Sequence, residues 1–424
     1  MTLGAKHNWP MVQLGSLADF RNGVNYNKDS FGLGIKVVGV SNFQNYLKPK
    51  YEELEQINPD GIVTERNILH HGDIVFVRSN GNRELIGRSL IIENPAEKVT
   101  HSAFTIRLRF TSPNVCPKFY AYCFRTNLIR QALTAQGGGT NINNLNQDIL
   151  SALLVPAPSL PTQERVASIL SAYDDLIENC QRRIKILEQM ARAIYREWFV
   201  NFRYPGHEAV PLVDSPLGPI PQGWRACTIG DISAFINRGI SPSYADDGGS
   251  IVLNQKCIRD QKVSFQLARR QNKQVPSDKI VQFGDVLINS TGVGTLGRVA
   301  ALYAEIQNCT ADSHITIARA KSDIDIFYYG SLLTELQPSF ERLGIGATGQ
   351  TELSRASVSG IEVIVPPNDL QHEYGKNISS MRLLVKNLQD KADNLRRTRD
   401  LLLPRLLSGQ IDLSEADPAK ADAA

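Results

Sequence analysis

Hydrophobic positions change their period along this chain, and they do so twice in the same order. Up to Leu153-Leu154-Val155-Pro156 the apolar runs are short and bounded by glycine, asparagine and proline, the pattern of strands and turns. Beyond that proline the spacing becomes alternating steps of four and three, through Val166, Leu170, Tyr173, Ile177, Cys180, Ile184, Leu187, Ala191, Ile194 and Trp198. A second strand-like region ends at Val363-Ile364-Val365-Pro366, and the same spacing returns at Tyr374, Ile378, Met381, Val385, Leu388, Ala392 and Leu395, then Leu402. Sustained 4-3 spacing with charged flanks predicts a coiled-coil seam rather than a broad amphipathic stripe. Its expected core includes Ile177, Ile184, Leu187 and Ile194 on one helix, and Met381, Val385, Leu388 and Leu395 on the other.

The strand-like regions repeat each other. Trp9 through Gly15 has a counterpart in Trp224 through Gly230, and Phe20 and Phe235 follow at the same offset of 215 positions. Gly72-Asp73-Ile74-Val75-Phe76-Val77 aligns with Gly284-Asp285-Val286-Leu287-Ile288-Asn289, and each run passes through a polar loop to Gly-Arg, at 87–88 and 297–298. Ser102-Ala103-Phe104-Thr105-Ile106 is set against Ser313-His314-Ile315-Thr316-Ile317. Each half then reaches a loop rich in glycine and threonine, at 137–141 and 346–351, before its closing strand and proline.

The expected fold is α+β: two similar mixed α/β domains at 1–159 and 205–367, joined by helices at 160–204 and 368–413. Prolines interleaved with glycines mark a linker at 205–221, and the tail 414–424 is expected to be disordered. Antiparallel pairing of the helices returns the chain to its start and relates the two domains by an approximate two-fold axis. The seam from Val166 to Trp198 spans about 50 Å at the α-helical rise. Duplex DNA repeats every ~34–36 Å, so two heads on such a ruler suit two sites along one duplex.

Composition adds constraints. The 424 residues are 42% hydrophobic and 21% charged, with no run long enough for a membrane helix and no secretory leader, which suits a cytoplasmic protein. Six scattered cysteines form no C-x-x-C pair, and no histidine completes a metal-ligand spacing around them. The formal net charge of +3 does not select nucleic acid as a partner. Residues 1–160 hold 16 Lys and Arg against 12 Asp and Glu, and 205–367 hold 14 against 16, so any such contact must come from local loops.

One loop, Ser290-Thr291-Gly292-Val293-Gly294-Thr295-Leu296-Gly297-Arg298, has the G-x-G-x-x-G spacing of a dinucleotide fold. That fold needs a helix next, whereas Arg298-Val299-Ala300-Ala301-Leu302-Tyr303 reads as a strand. The equivalent loop of the first half loses the spacing altogether, so the glycines fit a strand-to-strand loop with Ser290 and Thr291 facing a ligand. No adenine-methyltransferase Asn/Asp-Pro-Pro-Tyr/Phe, Walker lysine loop or H-E-x-x-H occurs, and a catalytic site is not expected.

The residues from Gly72 to Arg88, Gln163-Glu164-Arg165 opening a helix after a proline, and the closing run from Arg399 to Ile411 resemble the specificity subunits of type I restriction-modification systems. The likeness covers nearly the whole chain. It implies that each globular part is a target recognition domain, that the helices form an antiparallel coiled coil, and that a bipartite DNA target with an unread gap is recognised. It implies partners as well: double-stranded DNA, two methyltransferase subunits that use S-adenosylmethionine, and restriction subunits that use ATP and Mg for phage defence. The chain itself is expected to bind no cofactor or metal and no membrane. A non-catalytic protein-interaction scaffold of a defence system is the alternative.

Base readout requires paired donors and acceptors: Arg or Lys for guanine, Asn or Gln for adenine, Ser or Thr for either. The candidates are Arg78, Ser79, Asn80, Asn82, Arg83, Thr140, Asn141 and Asn143 in the first half. In the second they are Asn289, Ser290, Thr291, Thr295, Thr348, Gln350 and Thr351. Arg88 and Arg298, kept in both halves, suit phosphate contact or a structural role, and Lys28, Lys36, Lys48, Lys50, Arg269 and Arg270 could position the backbone. The difference between the two loops predicts two unlike half-sites, and Asn82→Ala or Arg83→Ala is expected to alter only the first.

Overall fold

The computed structural model describes residues 9–44, 47–136, 144–344, 352–411 and 413. The chain divides into two compact units: residues up to Cys180 together with those from Asp390 onward, and Gln181–Gln389.

In the first unit Ala18–Asn22, Thr105–Phe110, Ile74–Val77 and Ser89–Ile91 form a four-stranded antiparallel sheet in that order. A three-stranded sheet in the order Glu55–Ile57, Phe31–Val38, Val99–His101 lies beside it, its last pair parallel. Ile74 to Val77 are buried on both faces. Alternate residues of a strand point to opposite sides, so Ile74 and Phe76 join the core containing Phe119, Tyr120 and the helices, while Val75 and Val77 join another with Val38 and Leu90. Covering both faces explains why this run lacks polar alternation.

The second unit repeats the plan. Ser233–Arg238, Ile315–Ala320, Val286–Asn289 and Val299–Ala301 form the four-stranded sheet, and Arg269–Gln271, Ser250–Leu253 and Cys309–Ala311 the three-stranded one. Val286 and Ile288 face one core and Leu287 another. The deepest equivalence is ionic. Asp73 is 1% exposed and takes a bidentate contact from Arg109, at 2.7 Å on each oxygen; Asp285 is 0% exposed and takes the same contact from Arg319, at 2.7 and 2.8 Å. Each arginine also donates to a backbone carbonyl, of Ile68 or Ile280, and each aspartate accepts a backbone N–H three residues upstream. Hydrogen bonding to the aspartate raises the pKa of each arginine above its usual value.

The strand register corrects the repeat in three places. Val75 pairs with Arg107 and Leu287 with Ile317, so Thr105 corresponds to Ile315 and Phe104 to His314, one position from the alignment based on residue type. A bulge between Ser233 and Phe235 places Phe20 opposite Leu108 as Ile236 lies opposite Ala318, so Phe20 matches Ile236 and not Phe235. Leu14 bonds to Leu153 as Ile229 does to Ile361, which matches Val155 with Val363 rather than Val365. A slip of one residue reverses a strand's faces.

The long helices are Leu160–Tyr195, continued by a π-helical turn at Arg196–Val200, and Asn368–Leu407. Gln163 and Gln371 anchor their starts. Each is buried, donates to a proline carbonyl (Pro158 or Pro366, 2.9 Å), and accepts the backbone N–H of Cys116 or Asp325 at the head of another helix. The helices run antiparallel in both units. In the first, Val166 and Leu170 share a core with Leu402, Leu403, Leu406 and Leu407. In the second, Tyr195 lies against Tyr374 with ring centroids 6.1 Å apart. Along the seam Ile177, Ile184 and Leu388 are buried, and Leu187, Ile194, Met381, Val385 and Leu395 are half-buried. The proline-rich segment 205–221 is folded, with a ribbon of Leu212–Val213 on Ile220–Pro221 and Tyr204 and Ile220 in the second unit's core. The tail 414–424 lies outside the described residues.

One buried histidine separates the units. His101, at the end of Val99–His101, is 0% exposed and bonds through Nδ1 to Thr105 Oγ1 at 2.9 Å; Ala311 holds the equivalent strand end in the second unit. Burial, aided by Arg107, Arg109 and Arg21, pushes the imidazole down from 6.5 to about 3. Between those values the unfolded chain carries a proton that the folded chain excludes. His101 therefore favours folding above the ordinary histidine pKa, and stability declines as pH falls below it, by up to ~1.4 kcal/mol per pH unit. Amide hydrogen exchange at pH 7 and pH 5 should show the first unit losing more protection than the second, and His101→Gln should flatten the difference; equal losses would contradict it.

Candidate nucleic-acid interface

Two loops connect the inner and edge strands of the four-stranded sheets: Arg78–Arg88, after Ile74–Val77, and Ser290–Arg298, after Val286–Asn289. Both rejoin an antiparallel strand, so the glycine-rich loop is a strand-to-strand connection and not the entrance to a nucleotide-binding helix. Gly297 adopts φ +80° and a Cβ there would lie 2.6 Å from the backbone nitrogen of Glu341. Its twin Gly87 adopts φ +77°. Conformation and close packing against the unit's own helix therefore require glycine at this position.

Arg88 and Arg298 have matching roles. Arg88 Nε donates to the carbonyl of Glu84 (3.3 Å) and Arg298 donates to the carbonyl of Gly294 (2.8 Å), each four residues upstream. Arg88 also reaches the carbonyl of Phe43 at 3.4 Å. These guanidiniums close the loops on themselves.

In the first loop Asn80 accepts the N–H of Asn82, and Asn82 accepts that of Glu84, so both shape the turn. Asn82 is exposed; Arg78, Ser79 and Asn80 are half-buried. The side chains of Arg78 and Ser79 make no hydrogen bond or ion pair to any described residue, although their backbone N–H groups both donate to the carbonyl of Phe104 (2.8 and 3.3 Å). Arg78 thus offers an uncommitted guanidinium at the loop's entrance. The side chain of Arg83, together with Thr140, Asn141 and Asn143, lies outside the described residues.

The second loop requires a correction. Asn289 and Ser290 are both 0% exposed. Asn289 donates to the carbonyl of Gln255 at 3.1 Å, and the Ser290 hydroxyl meets Thr316 at 2.7 Å and the carbonyl of Ile288 at 3.2 Å. They lie at the end of the inner strand with their side chains buried, and the Ser290 hydroxyl is held by internal partners, so Ser290 does not face a ligand. Thr291 Oγ1 lies 2.7 Å from Gln255 Nε2 and 2.8 Å from His314 Nδ1. The Thr295 hydroxyl reaches the carbonyls of Thr291 and Gly292 at 3.4 and 3.3 Å. The tip is Val293, 96% exposed, beside Gly294. Thr348, Gln350 and Thr351 lie outside the described residues.

Among the supplementary cations Lys28 is exposed, and the others have partners. Lys36 contacts Glu97, Lys48 contacts Glu178, and Lys50 contacts Glu53. Arg269 stacks 3.6 Å over the Tyr244 ring, and Arg270 donates to the carbonyl of Gly248. Phe104 and His314 are not among the candidates chosen by residue type. Both are exposed and adjoin the two loops, but neither is among the usual hydrogen-bonding readers.

Residues 6–189 match the family described as Type I restriction modification DNA specificity domain. The likeness to type I specificity subunits extends over the whole chain. A putative type I restriction enzyme MjaX specificity subunit of Methanocaldococcus jannaschii is 24% identical over 416 residues, 95% of this chain and 94% of that protein. The EcoKI specificity subunit of Escherichia coli is 24% identical over 417 residues, covering 92% and 84%. The fold matches the S subunit of a type I restriction-modification system from M. genitalium, with a TM-score of 0.58, 17% identity, and 98% and 99% of the two chains covered. No helix among the described residues is long and apolar enough to cross a membrane.

Proposed function

We propose that this chain is the sequence-specific DNA-binding subunit of a type I restriction-modification complex, and that each unit reads one half of a bipartite, asymmetric target across an unread gap. One observation carries the reading: the duplicated framework is kept while the loops mounted on it diverge. The bidentate Asp–Arg pair and the loop-closing arginine recur in both units. Between them stand Ser79-Asn80-Gly81-Asn82-Arg83 in one loop and Thr291-Gly292-Val293-Gly294-Thr295 in the other. Two readers of different sequences need a common scaffold and unlike contact surfaces.

In this reading the chain binds and does no chemistry. Two methyltransferase subunits and the restriction subunits are its partners, and they use S-adenosylmethionine, ATP and Mg. Arg78, Ser79 and Asn82 lead the contacts of the first unit, while in the second the Thr291 hydroxyl is held between Gln255 and His314. Arg88 and Arg298 hold the loops and do not read bases. Asn82 also caps its own turn, which makes Arg78 the cleaner probe. Methylome sequencing of a host expressing the full system is expected to return a split motif with a constant gap. Arg78→Ala is expected to relax one position of one half by ~1–3 kcal/mol of discrimination and leave the other half intact. A contiguous motif, or equal weakening of both halves, would overturn the assignment.

A further inference from the structure

Resting on the proposed DNA-specificity role, we infer that Phe104 and His314, which occupy one equivalent position in the two units, are base-reading residues and set one base preference in each half-site. Each lies in the turn before a central strand, Thr105–Phe110 or Ile315–Ala320. Each turn is held against the start of the candidate loop. The Phe104 carbonyl accepts the N–H of Arg78 and of Ser79, and the His314 carbonyl accepts the N–H of Ser290 at 2.8 Å. The position is therefore fixed by the backbone while its side chain is left to the solvent. Phe104 is 62% exposed, more than any other phenylalanine, tyrosine or tryptophan among the described residues, and it adjoins the uncommitted Arg78.

The chemistry around the position changes as a set. In the second unit Gln255, the first residue of a 3-10 turn, donates from Nε2 to Thr291 Oγ1 at 2.7 Å. Thr291 Oγ1 also lies 2.8 Å from His314 Nδ1, donating or accepting according to the imidazole tautomer. With Nδ1 accepting, the neutral ring carries its proton on Nε2 and presents one oriented donor. In the first unit the corresponding turn opens with Val40, the loop begins with Ser79, and the turn residue is Phe104. The relay is absent there and an apolar ring takes its place. A purine N7 or another groove acceptor suits His314, and a thymine methyl suits Phe104. An oriented imidazole on one unit and a phenyl ring on the other give the two heads different preferences on the same backbone.

The test is selection from random duplex DNA by the assembled complex with its methyltransferase partners, comparing wild type, Phe104→His, His314→Phe and Gln255→Val. Phe104→His is expected to change the preference at one base pair of the first half-site, by about tenfold, and to leave the second unchanged. His314→Phe should do the converse. Gln255→Val, which removes the relay but keeps the ring, should loosen the same base pair as His314→Phe. If wild type enriches a split motif and all three variants enrich that same motif, the inference is overturned and the specificity role stands. If wild type enriches no motif, the specificity role itself is overturned, and this inference with it.

Discussion

Deleting residues 399–424 should abolish cooperative folding of the first unit. Leu406 and Leu407, 2% and 5% exposed, share its core with Val166, Leu170 and Phe119, and Leu402 and Leu403 pack on the same cluster. Each fully buried leucine contributes ~1.5–3 kcal/mol. The two buried leucines, with smaller contributions from the partly buried Leu402 and Leu403, reach the lower part of the stability of an ordinary domain, about 5–15 kcal/mol. The deletion also strips Asp174 of its contact with Arg399, which stands beside the 2.7 Å hydrogen bond it accepts from Tyr122. Gly409, at φ +70°, sits so close to Trp9 that a Cβ would lie 3.0 Å from the indole, so the chain's late residues close on its early ones. Hydrogen exchange should find the described residues up to Cys180 unprotected in the truncated chain, while Gln181–Gln389 keeps its protection. Full protection of both would contradict this account of the closing segment.

Arg109→Met is expected to destabilise the first unit by ~3–5 kcal/mol, because it leaves the Asp73 carboxylate buried without its cation. Arg319→Met should do the same to Asp285 in the second unit. Urea unfolding followed by exchange in each unit separates the two effects: each variant lowers protection in its own unit. A loss below about 1 kcal/mol would assign the pair the modest value of an exposed salt bridge.

The helical seams and the duplication were legible because both are periodic signals sustained over many residues. Local register was not. Matching the serines at Ser102 and Ser313 set Phe104 against Ile315, whereas the pairing of Val75 with Arg107 and of Leu287 with Ile317 sets it against His314. That single slip concealed the equivalence of the two exposed turn residues. The Asp–Arg pairs escaped notice because their members lie 36 and 34 positions apart and meet only once the inner strands pair. Asn289 and Ser290 read as loop residues from their type, yet both are buried at the end of the inner strand, where Asn289 Nδ2 donates to the Gln255 carbonyl and the Ser290 hydroxyl meets Thr316. Arg78 is a candidate because arginine can pair with guanine; that its side chain has no partner among the described residues is visible only in the fold.

The central claim is that two unlike heads read two unlike half-sites. It is tested most directly by sequencing duplexes selected from a random pool by the chain assembled with its methyltransferase subunits. The account predicts two dissimilar conserved blocks separated by a fixed number of unselected base pairs. Enrichment of a palindrome, of one contiguous block, or of no sequence at all would contradict it.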